Sequence, residues 1–317
     1  VAARALVNAT GPWAAAWLRT ALGRGAPKPL RLVKGSHIVV PRLFTHDRAY
    51  ILQGADRRIV FAIPYEGEFT LIGTTDVDFD GDPGAARTDA AEIAYLCAQA
   101  GRYFRQPVDP ARVVQTYAGV RPLLDDDAGD PSAVTRDYLL ELEPDPAPLL
   151  SVWGGKITTF RKLAEQAADL IERHLGRRPR PWTADATLPG GDLRGWIAPS
   201  GRPDVDIARF EQALRARRPE LPPALARRWA RCYGARVEHI LTAGALGRAV
   251  APGLHEAELD YLCTHEWAHD ADDVLWRRTK LGLHLDADAR AAVARWLAAR
   301  HAGEVRSCAK QAGVELD

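Results

Sequence analysis

The stretch 148-PLLSVWGGKITTFRKLAEQAADLIERHL-175 joins an apolar strand to an amphipathic helix through a turn of two glycines and a lysine. At Gly154 and Gly155 the backbone N–H groups can approach a ligand closely. The helix has Arg161 and Lys162 in its first turn, although the positive end of the helix dipole favours acidic side chains there. Either an anion shares this helix start, or the two cations are solvated or paired with acids such as Glu165.

The composition is that of an ordinary globular chain. Its 317 residues are 47% hydrophobic and 26% charged, which is enough for two or three domains. A net charge of +1 leaves no broad basic field, so nucleic acid is not expected as a partner. The four cysteines lack CxxC spacing, which argues against a disulfide scaffold or a cysteine zinc site. Without an apolar run long enough to span a bilayer, the sequence predicts a soluble or peripheral protein.

The first residues predict half of a βα unit. RALVNATG indicates a strand and a turn at Gly11, after which Pro12 opens a helix. The chain also contains no methionine. We therefore expect a piece of a longer protein that lacks its N-terminal part.

The middle of the chain alternates between strand and helix signals. SHIVVP, AYILQ, RRIVFAIPYE and FTLIGTTD predict four short strands of an antiparallel sheet, and the preceding APKPLRLVKG is interpreted as a connection. A helix within residues 88–105 leads to three further strands, in RVVQTYAGVRPLL, AVTRDYLLELE and PLLSVWGG. After a proline- and glycine-rich linker the strand signals cease, and about five helices are expected beyond a domain boundary near residue 180.

The segment 265-HEWAH-269 has the HExxH spacing of zinc hydrolases, in which two histidines on one helix face bind the metal. The run DADD that follows predicts the cap of a new helix. The segment is therefore interpreted as a solvent-facing helix end, and no metal site is predicted. A zinc hydrolase at His265 and His269 is the weaker alternative.

A cationic set lies beside predicted strand ends: Arg121 in YAGVRPLL, Arg136 in TRDY and Lys156 in GGKITT. Arginine forks, a lysine point charge and glycine N–H groups are donors that suit a phosphate monoester. Thr158 and Thr159 add hydroxyl groups at the helix start. Any one of these cations alone is more often a surface or paired charge, but together they predict a site for a small anion.

A second polar set comprises Lys34, Ser36 and His37 in RLVKGSHIVVP, with Thr74, Thr75 and Asp76 in LIGTTDVDFDGDP. A histidine can accept a proton near neutral pH, and an alcohol that loses hydride must also lose its hydroxyl proton. A single histidine at the start of a strand is also common as a structural residue. Spacing alone leaves both interpretations of His37 open.

Nearly the whole chain resembles one enzyme family in collinear order. The matching stretches include VNATGPWA, RLVKGSHIVVPR, RIVFAIPYEGEFTLIGTTDVDFDGDP, YAGVRPLLDDD, AVTRDYLLEL, PLLSVWGGKITTFRKLAEQA and YLCTHEWAHDADDVLWRRTKLGL. They are similar to the FAD-dependent, quinone-linked respiratory glycerol-3-phosphate dehydrogenases. The resemblance implies oxidation of sn-glycerol 3-phosphate to dihydroxyacetone phosphate in glycerol and glycerophospholipid metabolism, with hydride passing to flavin N5 and electrons onward to a quinone.

The fold class implied is α+β or α/β. It combines an incomplete, Rossmann-like FAD-binding domain of the D-amino-acid-oxidase type with an antiparallel-sheet substrate domain and a C-terminal all-helical domain. The expected bounds are 1–30 for the end of the FAD-binding domain, 31–118 for the substrate domain, 119–178 for a return segment that completes the FAD-binding domain and the active site, and 179–317 for the helical domain.

The resemblance also implies roles for individual residues. Arg121, Arg136 and Lys156 would bind the substrate phosphate or neighbouring oxygens, and His37 would handle the C2 hydroxyl proton as the catalytic residue. The residues expected to contact FAD are Thr10, Gly11, Gly154, Gly155, Lys156 and Thr158. The implied partners are a quinone and the cytoplasmic face of the inner membrane, on which the cytoplasmic protein would lie peripherally, with a homodimer as a further possibility.

One departure from the family pattern is the lack of a GxGxxG fingerprint anywhere in these residues. The chain by itself is therefore expected to bind FAD weakly and not to turn over. Three alternatives remain open beside the zinc hydrolase. They are a flavin oxidase of the same superfamily that returns electrons to oxygen, an amine oxidase on the same scaffold, and a non-catalytic remnant whose helical part serves interaction only.

Overall fold

The computed structural model describes residues 2–23, 25, 30–124, 137–144, 147–242 and 244–311, with side chains described as far as Ala302. The chain divides into two compact units, Val1–Asp185 and Ala186–Asp317. The first unit contains a three-stranded sheet and a six-stranded sheet, and the second unit is mainly helical.

The smaller sheet of the first unit has three strands in the order β1-β9-β8. Its strands are β1 (Leu6–Asn8), β8 (Tyr138–Glu143) and β9 (Leu149–Gly154). β1 runs parallel to β9, and β8 is antiparallel to it. Helix α1 (Ala14–Leu22) packs Ala14 and Leu18 against Trp153 of β9. The predicted strand–turn–helix unit is confirmed, because β9 is followed by a glycine turn and helix α3 (Phe160–His174).

The larger sheet is antiparallel, as predicted, and long strand β2 lies at its centre. Its strands are β2 (Leu30–Pro41), β3 (Tyr50–Gln53), β4 (Ile59–Tyr65), β5 (Phe69–Gly73), β6 (Val77–Asp78) and β7 (Gln115–Leu124). One edge of β2 pairs with β5 and β6, and the other pairs with β7 along almost its whole length.

One expectation about this sheet needs correction. The segment interpreted as a connection is already strand from Leu30, because β7 pairs with it from Leu30↔Leu124 to Val39↔Gln115 and satisfies its backbone whatever its side chains are. Strand β7 extends across residues 118 and 119, where a domain boundary is predicted, and continues to Leu124.

One face of the larger sheet is covered by helix α2 (Ala90–Gly101). Ile38, Val40 and Ile72 point towards Leu96 and Cys97 of that helix and are buried. Because strand side chains alternate between faces, the neighbours of these core residues project from the opposite face. That alternation decides which polar residues can share a site.

The second unit packs its helices around a core that includes Phe210, Trp229 and Leu259. Its helices are α4 (Pro203–Arg217), α5 (Pro223–Tyr233), α6 (Val237–Leu241), α7 (Glu256–His265) and α8 (Ala287–Gln311), with a π-helix at Asp273–Arg278. A small hairpin, β10 (Ala249–Ala251) with β11 (Leu254–His255), is an exception to the all-helical expectation. Strands of three and two residues are too short to leave a periodic signal in the sequence.

Among the helices that the structure describes, none is long and apolar enough to cross a membrane.

Candidate functional site

His37 lies in a row of residues that crosses the face of the larger sheet opposite helix α2. The register pairs Phe61 with Gly73, Gly73 with His37, and His37 with Tyr117. The imidazole stacks on the Tyr117 ring with centroids 4.8 Å apart and an interplanar angle of 9°. In the described part of the chain, its buried Nδ1 atom has no hydrogen-bond partner. Burial, and secondarily the Arg121 charge, lower the pKa of His37, so the ring is neutral at neutral pH and able to accept a proton.

The His37 ring occupies space that only a glycine opposite it leaves free. A Cβ atom on Gly73 would lie 2.1 Å from His37 Cδ2, far inside van der Waals contact. The φ angle of Gly73 is not positive, so this contact, rather than backbone strain, excludes a side chain there.

Replacing Gly73 by alanine is expected to lower the free energy of unfolding by about 1–3 kcal/mol, because the imidazole must leave its place. Urea denaturation of the variant measures this loss. Gly119→Ala is the matched strand control, since a Cβ there meets no described atom within 4 Å. A His37→Ala background removes the obstacle, so an equal cost of Gly73→Ala with and without the imidazole would contradict this account.

Arg121 is held on the same face as His37. Its Nη1 atom donates to Asp76 Oδ1 in a short ion pair, and Nη2 donates to Thr74 Oγ1 at 3.2 Å. The guanidinium lies over Gly35, where a Cβ atom would come within 2.5 Å of Nη2. These contacts leave other N–H donors of the guanidinium for a ligand.

Lys34, Ser36 and Thr75 do not join this site, although the sequence placed them in the same polar set. They project towards α2, where Lys34 Nζ lies 2.9 Å from Glu92 Oε2 and 3.2 Å from Asp89 Oδ2. Burial lowers the pKa of Lys34, but the hydrogen bonds to these two carboxylates outweigh it and raise that pKa overall. Lys34 is thus a buried structural cation. The second polar set divides by strand alternation, with His37, Thr74 and Asp76 on the site face.

The turn after β9 is formed by two consecutive glycines with positive φ angles. Gly154 and Gly155 have φ angles of +68° and +98°, and a Cβ on Gly154 would lie 2.9 Å from the Asp137 carbonyl oxygen. A side chain is therefore excluded at Gly154. The same Cβ position is 3.6 Å from the carbonyl oxygen of Pro122, the neighbour of Arg121. The turn therefore packs beside the segment of β7 that carries Arg121.

Lys156 follows the two glycines and is exposed. Among the residues that the structure describes, no acid pairs with its ammonium group. The Lys156 carbonyl accepts from the backbone N–H of Thr159 at 3.1 Å and from its hydroxyl at 3.0 Å, which fixes the turn. Thr158 and Ile157 are exposed next to it, Ile157 by 86%. The turn thus presents a cation and an apolar side chain side by side.

The basic start of α3 has an ordinary explanation. Arg161 donates to Glu165 Oε1 at 3.2 Å and to Thr183 Oγ1 at 3.1 Å, so its charge is balanced within its own helix. Of the explanations that the sequence allowed for Arg161, pairing with an acid is the one observed. Lys156 in the turn and Lys162 in the first turn of α3 are both exposed, and among the described residues Lys156 is the cation that follows the two glycines directly.

Thr10 and Gly11 lie at the same sheet edge as this turn, because β1 and β9 are parallel and Asn8 is paired with Ser151. Asn8 is buried and donates to the Ala14 carbonyl at 3.1 Å, while Thr10 donates its hydroxyl proton to Asn8 Oδ1 at 2.7 Å. Gly11 adopts a φ of +59°. The carboxyl ends of parallel strands are where open α/β sheets bind ligands. Arg136 lies outside the described residues.

The HExxH segment does not have the geometry of a zinc site, so the zinc hydrolase alternative is wrong. α7 ends at His265, and Trp267 has a φ of +54°, so His265 and His269 do not share a helix face. The Glu266 carboxylate accepts a hydrogen bond from Tyr261 at 2.6 Å. As the run DADD predicted, Asp270 accepts from the backbone N–H of Asp273 at 2.7 Å in a cap. Within the ranges that the structure describes, no group of histidine, cysteine and acidic residues could hold a metal ion.

Comparison with known proteins identifies the family. Residues 1–161 match the family model described as FAD dependent oxidoreductase, which is more than half of the chain. This chain belongs to the FAD-dependent oxidoreductase family. Residues 181–305 match the model of a C-terminal domain of alpha-glycerophosphate oxidase.

The relatives of this family member are considerably longer than the chain. It is 44% identical to a glycerol-3-phosphate dehydrogenase of Pseudomonas aeruginosa over 95% of its own length. It is 46% identical to the aerobic glycerol-3-phosphate dehydrogenase of Escherichia coli K12, and 42% identical to D-erythritol 1-phosphate dehydrogenase of Brucella abortus, each over 93% of its length. The chain spans 58% of the length of these curated relatives.

A solved structure supports the same family assignment for this chain. The glycerol-3-phosphate dehydrogenase of Bacillus halodurans, in complex with FAD, aligns with a TM-score of 0.76 and 29% identity over 95% of this chain and 58% of that one. The family resemblance and the fold class expected from the sequence are thereby confirmed. The chain contains part of an FAD-binding fold, a sheet domain and a C-terminal helical domain.

Sequence reasoning overlooked three residues that shape this site: Gly35, Gly73 and Tyr117. The signal for Tyr117 was present in TYAGVR, because alternation puts Tyr117, Gly119 and Arg121 on one face of a strand. Gly35 and Gly73 could not be found in this way. Their importance depends on a side chain of another strand that stands against them.

Proposed function

We propose that the protein containing this chain oxidises sn-glycerol 3-phosphate to dihydroxyacetone phosphate with FAD as its cofactor. The observation that carries the proposal is that a neutral His37 and an Arg121 held by Asp76 and Thr74 lie on the same face of one sheet. Relatives named glycerol-3-phosphate dehydrogenase, 44–46% identical over nearly the whole chain, support the choice of substrate.

The residues present fit a part of the FAD site. The Gly154–Gly155 turn lies at the end of a parallel strand, and in the described structure the buried hydroxyl of nearby Ser151 has no hydrogen-bond partner. We expect FAD to be held by Thr10, Gly11, Gly154, Gly155, Lys156 and Thr158. When bound, FAD accepts the hydride that leaves C2 of the substrate.

The chain's own residues then have separate tasks. Arg121 offers its remaining guanidinium N–H groups, and Lys156 its ammonium, to the phosphate ester, while Arg136 is proposed to add a third cation. An imidazole nitrogen of His37 accepts the C2 hydroxyl proton, which must depart as the carbinol carbon loses hydride. The low pKa of His37 keeps that nitrogen unprotonated and available. The Tyr117 ring, stacked on the imidazole, fixes its plane.

The decisive experiment uses the full-length protein. Its absorption spectrum should show bound flavin, and it should reduce an artificial electron-accepting dye on addition of glycerol 3-phosphate. D-Erythritol 1-phosphate is the competing substrate to compare, because a relative named for it is 42% identical. A colourless protein, or a higher kcat/KM with erythritol 1-phosphate, would overturn the proposed assignment.

The electron acceptor is a finer part of the proposal. We propose a quinone, reached from a peripheral position on the cytoplasmic face of the inner membrane, by a protein that can form a homodimer. Oxygen is the second candidate, because residues 181–305 match a domain of alpha-glycerophosphate oxidase. Hydrogen peroxide formed in step with substrate consumption, without added dye or quinone, would favour the oxidase.

Lys156→Ala is expected to raise KM for glycerol 3-phosphate and to lower kcat/KM about tenfold, because an exposed cation contributes on the order of 1 kcal/mol to phosphate binding. Steady-state kinetics with the full-length enzyme give both values. Lys162→Ala is the control and should change neither, because Lys162 is an exposed lysine six residues further on, in the first turn of α3. An unchanged kcat/KM in the Lys156 variant would remove this residue from the substrate site.

A further inference from the structure

Asp76 lies in the short segment between β5 and β6 and is turned towards the site face. Its carboxylate forms the ion pair with Arg121, and its side chain is only 15% exposed. Thr75, one residue earlier, is buried on the opposite face, where it donates to Glu92 Oε1 at 2.7 Å and accepts from the Ser36 backbone N–H at 2.9 Å. These two hydrogen bonds fix the segment on the face that α2 covers. The Asp76 carboxylate therefore has a fixed position on the opposite face, beside Arg121.

Asp76 and Thr74 act together on one guanidinium. They take one N–H from each of the two terminal nitrogens of Arg121. The absence of a side chain at Gly35 lets the fork lie flat against the strand. Arg121 remains 32% exposed, so its other donors can reach a ligand. The Arg121 guanidinium is therefore oriented before a substrate binds, and its charge is already balanced by the Asp76 carboxylate.

We infer that Asp76 is a positioning residue and counter-ion for the proposed reaction, which fixes the Arg121 fork for the phosphate ester and shields His37 from the arginine charge. The inference rests on the proposed function. An arginine strong enough to bind a phosphate would, without a counter-ion, also oppose proton uptake by a neighbouring imidazole. A carboxylate paired with the guanidinium weakens that repulsion. It also moderates the affinity for phosphate, so that the product can leave.

Charged or titratable groups of two neighbouring elements lie on the face that carries His37. On β7 they are Tyr117 and Arg121, and on the segment after β5 there is Asp76. Burial raises the pKa of Tyr117, and the pKa of Tyr65 is raised to about 12, chiefly by burial, so both phenols are neutral. Phe61 and Gly73, the next residues across the sheet, have no titratable side chain. After burial, the Arg121 charge is the influence that lowers the pKa of the imidazole, and Asp76 is the carboxylate that pairs with this charge.

The test is Asp76→Asn in the full-length protein, which keeps a hydrogen-bond acceptor for Arg121 and removes the charge. The His37 pKa is measured by NMR with selectively labelled histidine, its signal being assigned by its loss in His37→Asn. Asp76→Asn should lower the His37 pKa by about 1 unit, since an unbalanced cation nearby disfavours the imidazolium. For the same reason inorganic phosphate should bind about tenfold more tightly, measured by calorimetry.

Asp78→Asn is the matched control, because Asp78 is an exposed aspartate two residues further on that pairs with Arg31 rather than Arg121. It should leave the His37 pKa and the phosphate affinity unchanged. Asp76→Glu, which keeps the charge but displaces the fork, should hold the His37 pKa near its original value while raising KM. Should Asp76→Asn be poorly folded, this variant still decides between a charge effect and a packing effect.

Equal His37 pKa values in the original protein, Asp76→Asn and Asp78→Asn would overturn the inference. The pKa and calorimetric measurements need no turnover, so they are independent of the substrate assignment. If the original protein fails to oxidise glycerol 3-phosphate and Asp76→Asn still shifts the His37 pKa, the proposed function fails and the counter-ion role stands.

Discussion

Arg121→Ala is expected to lower kcat/KM for glycerol 3-phosphate by about 100- to 1000-fold, the range typical for loss of a fixed donor to a charged oxygen in a closed site. The residue binds through a guanidinium already oriented by Asp76 and Thr74, so its donors need no reordering when the substrate arrives. Arg121→Lys should recover little of the loss, because an ammonium cannot reproduce the fork.

The same substitution has a consequence for pH dependence. Without Arg121, the Asp76 carboxylate is left uncompensated beside the site, and the His37 pKa should rise because the arginine charge now lowers it. Since His37 must be unprotonated to accept a proton, the acidic limb of the kcat/KM profile should move to higher pH. Steady-state kinetics between pH 5 and 9 measure both effects.

Arg112→Ala is the control, because Arg112 is an exposed arginine of the same unit. A loss of kcat/KM below tenfold in Arg121→Ala would exclude the proposed phosphate role.

Glu258→Ala is expected to lower the free energy of unfolding by about 3–5 kcal/mol, because it leaves Arg228 partly buried without its counter-ion. Glu258 is 0% exposed, and its two oxygens accept hydrogen bonds of 2.6 Å from the two terminal nitrogens of Arg228. Tyr233 donates its phenol proton to the same carboxylate. Burial and the negative charge of Glu258 raise the Tyr233 pKa well above its ordinary value, so the phenol remains a donor.

Urea denaturation followed by tryptophan fluorescence measures this loss. Arg194→Ala is the control in the same unit, because Arg194 and Asp192 form an exposed pair, with side-chain exposures of 76% and 50%; its cost should stay below about 1 kcal/mol. The double variant Arg228→Ala with Glu258→Ala should be less destabilised than the sum of the single changes, since no unpaired charge remains buried. Additive costs would show that the two residues act independently.

Much of the fold could be predicted because its signals are local. Strand β9, the Gly154–Gly155 turn and α3 follow from an apolar run, glycine punctuation and a helical stripe in consecutive residues. The same local signals left the partner of Arg161 undecided. Glu165, one helical turn away, was a possible partner, and a bound anion was another. A choice between an anion and a neighbouring acid needs the side-chain geometry, which the sequence does not contain.

The two errors have different physical origins, one in a partner distant along the chain and one in strand alternation. RLVKG was interpreted as a connection because its charges resemble a loop, but β7 supplies a complete ladder from more than eighty residues away. Lys34 was grouped with His37 because they are near in sequence, although strand alternation with an odd separation puts them on opposite faces. That signal was available and was not used.

The sequence by itself determined the family, the fold class and the glycine turn with Lys156, and it predicted His37 and Arg121 as residues on which the proposed chemistry depends. These follow from local patterns and from a collinear resemblance over the whole chain. Only the tertiary structure decided that Asp76 pairs with Arg121, that Gly73 makes room for His37, and that Lys34 is held behind the sheet by Glu92. The reason is that each of these relations joins residues of different strands or helices, and their distance is set by sheet register and packing rather than by position along the chain.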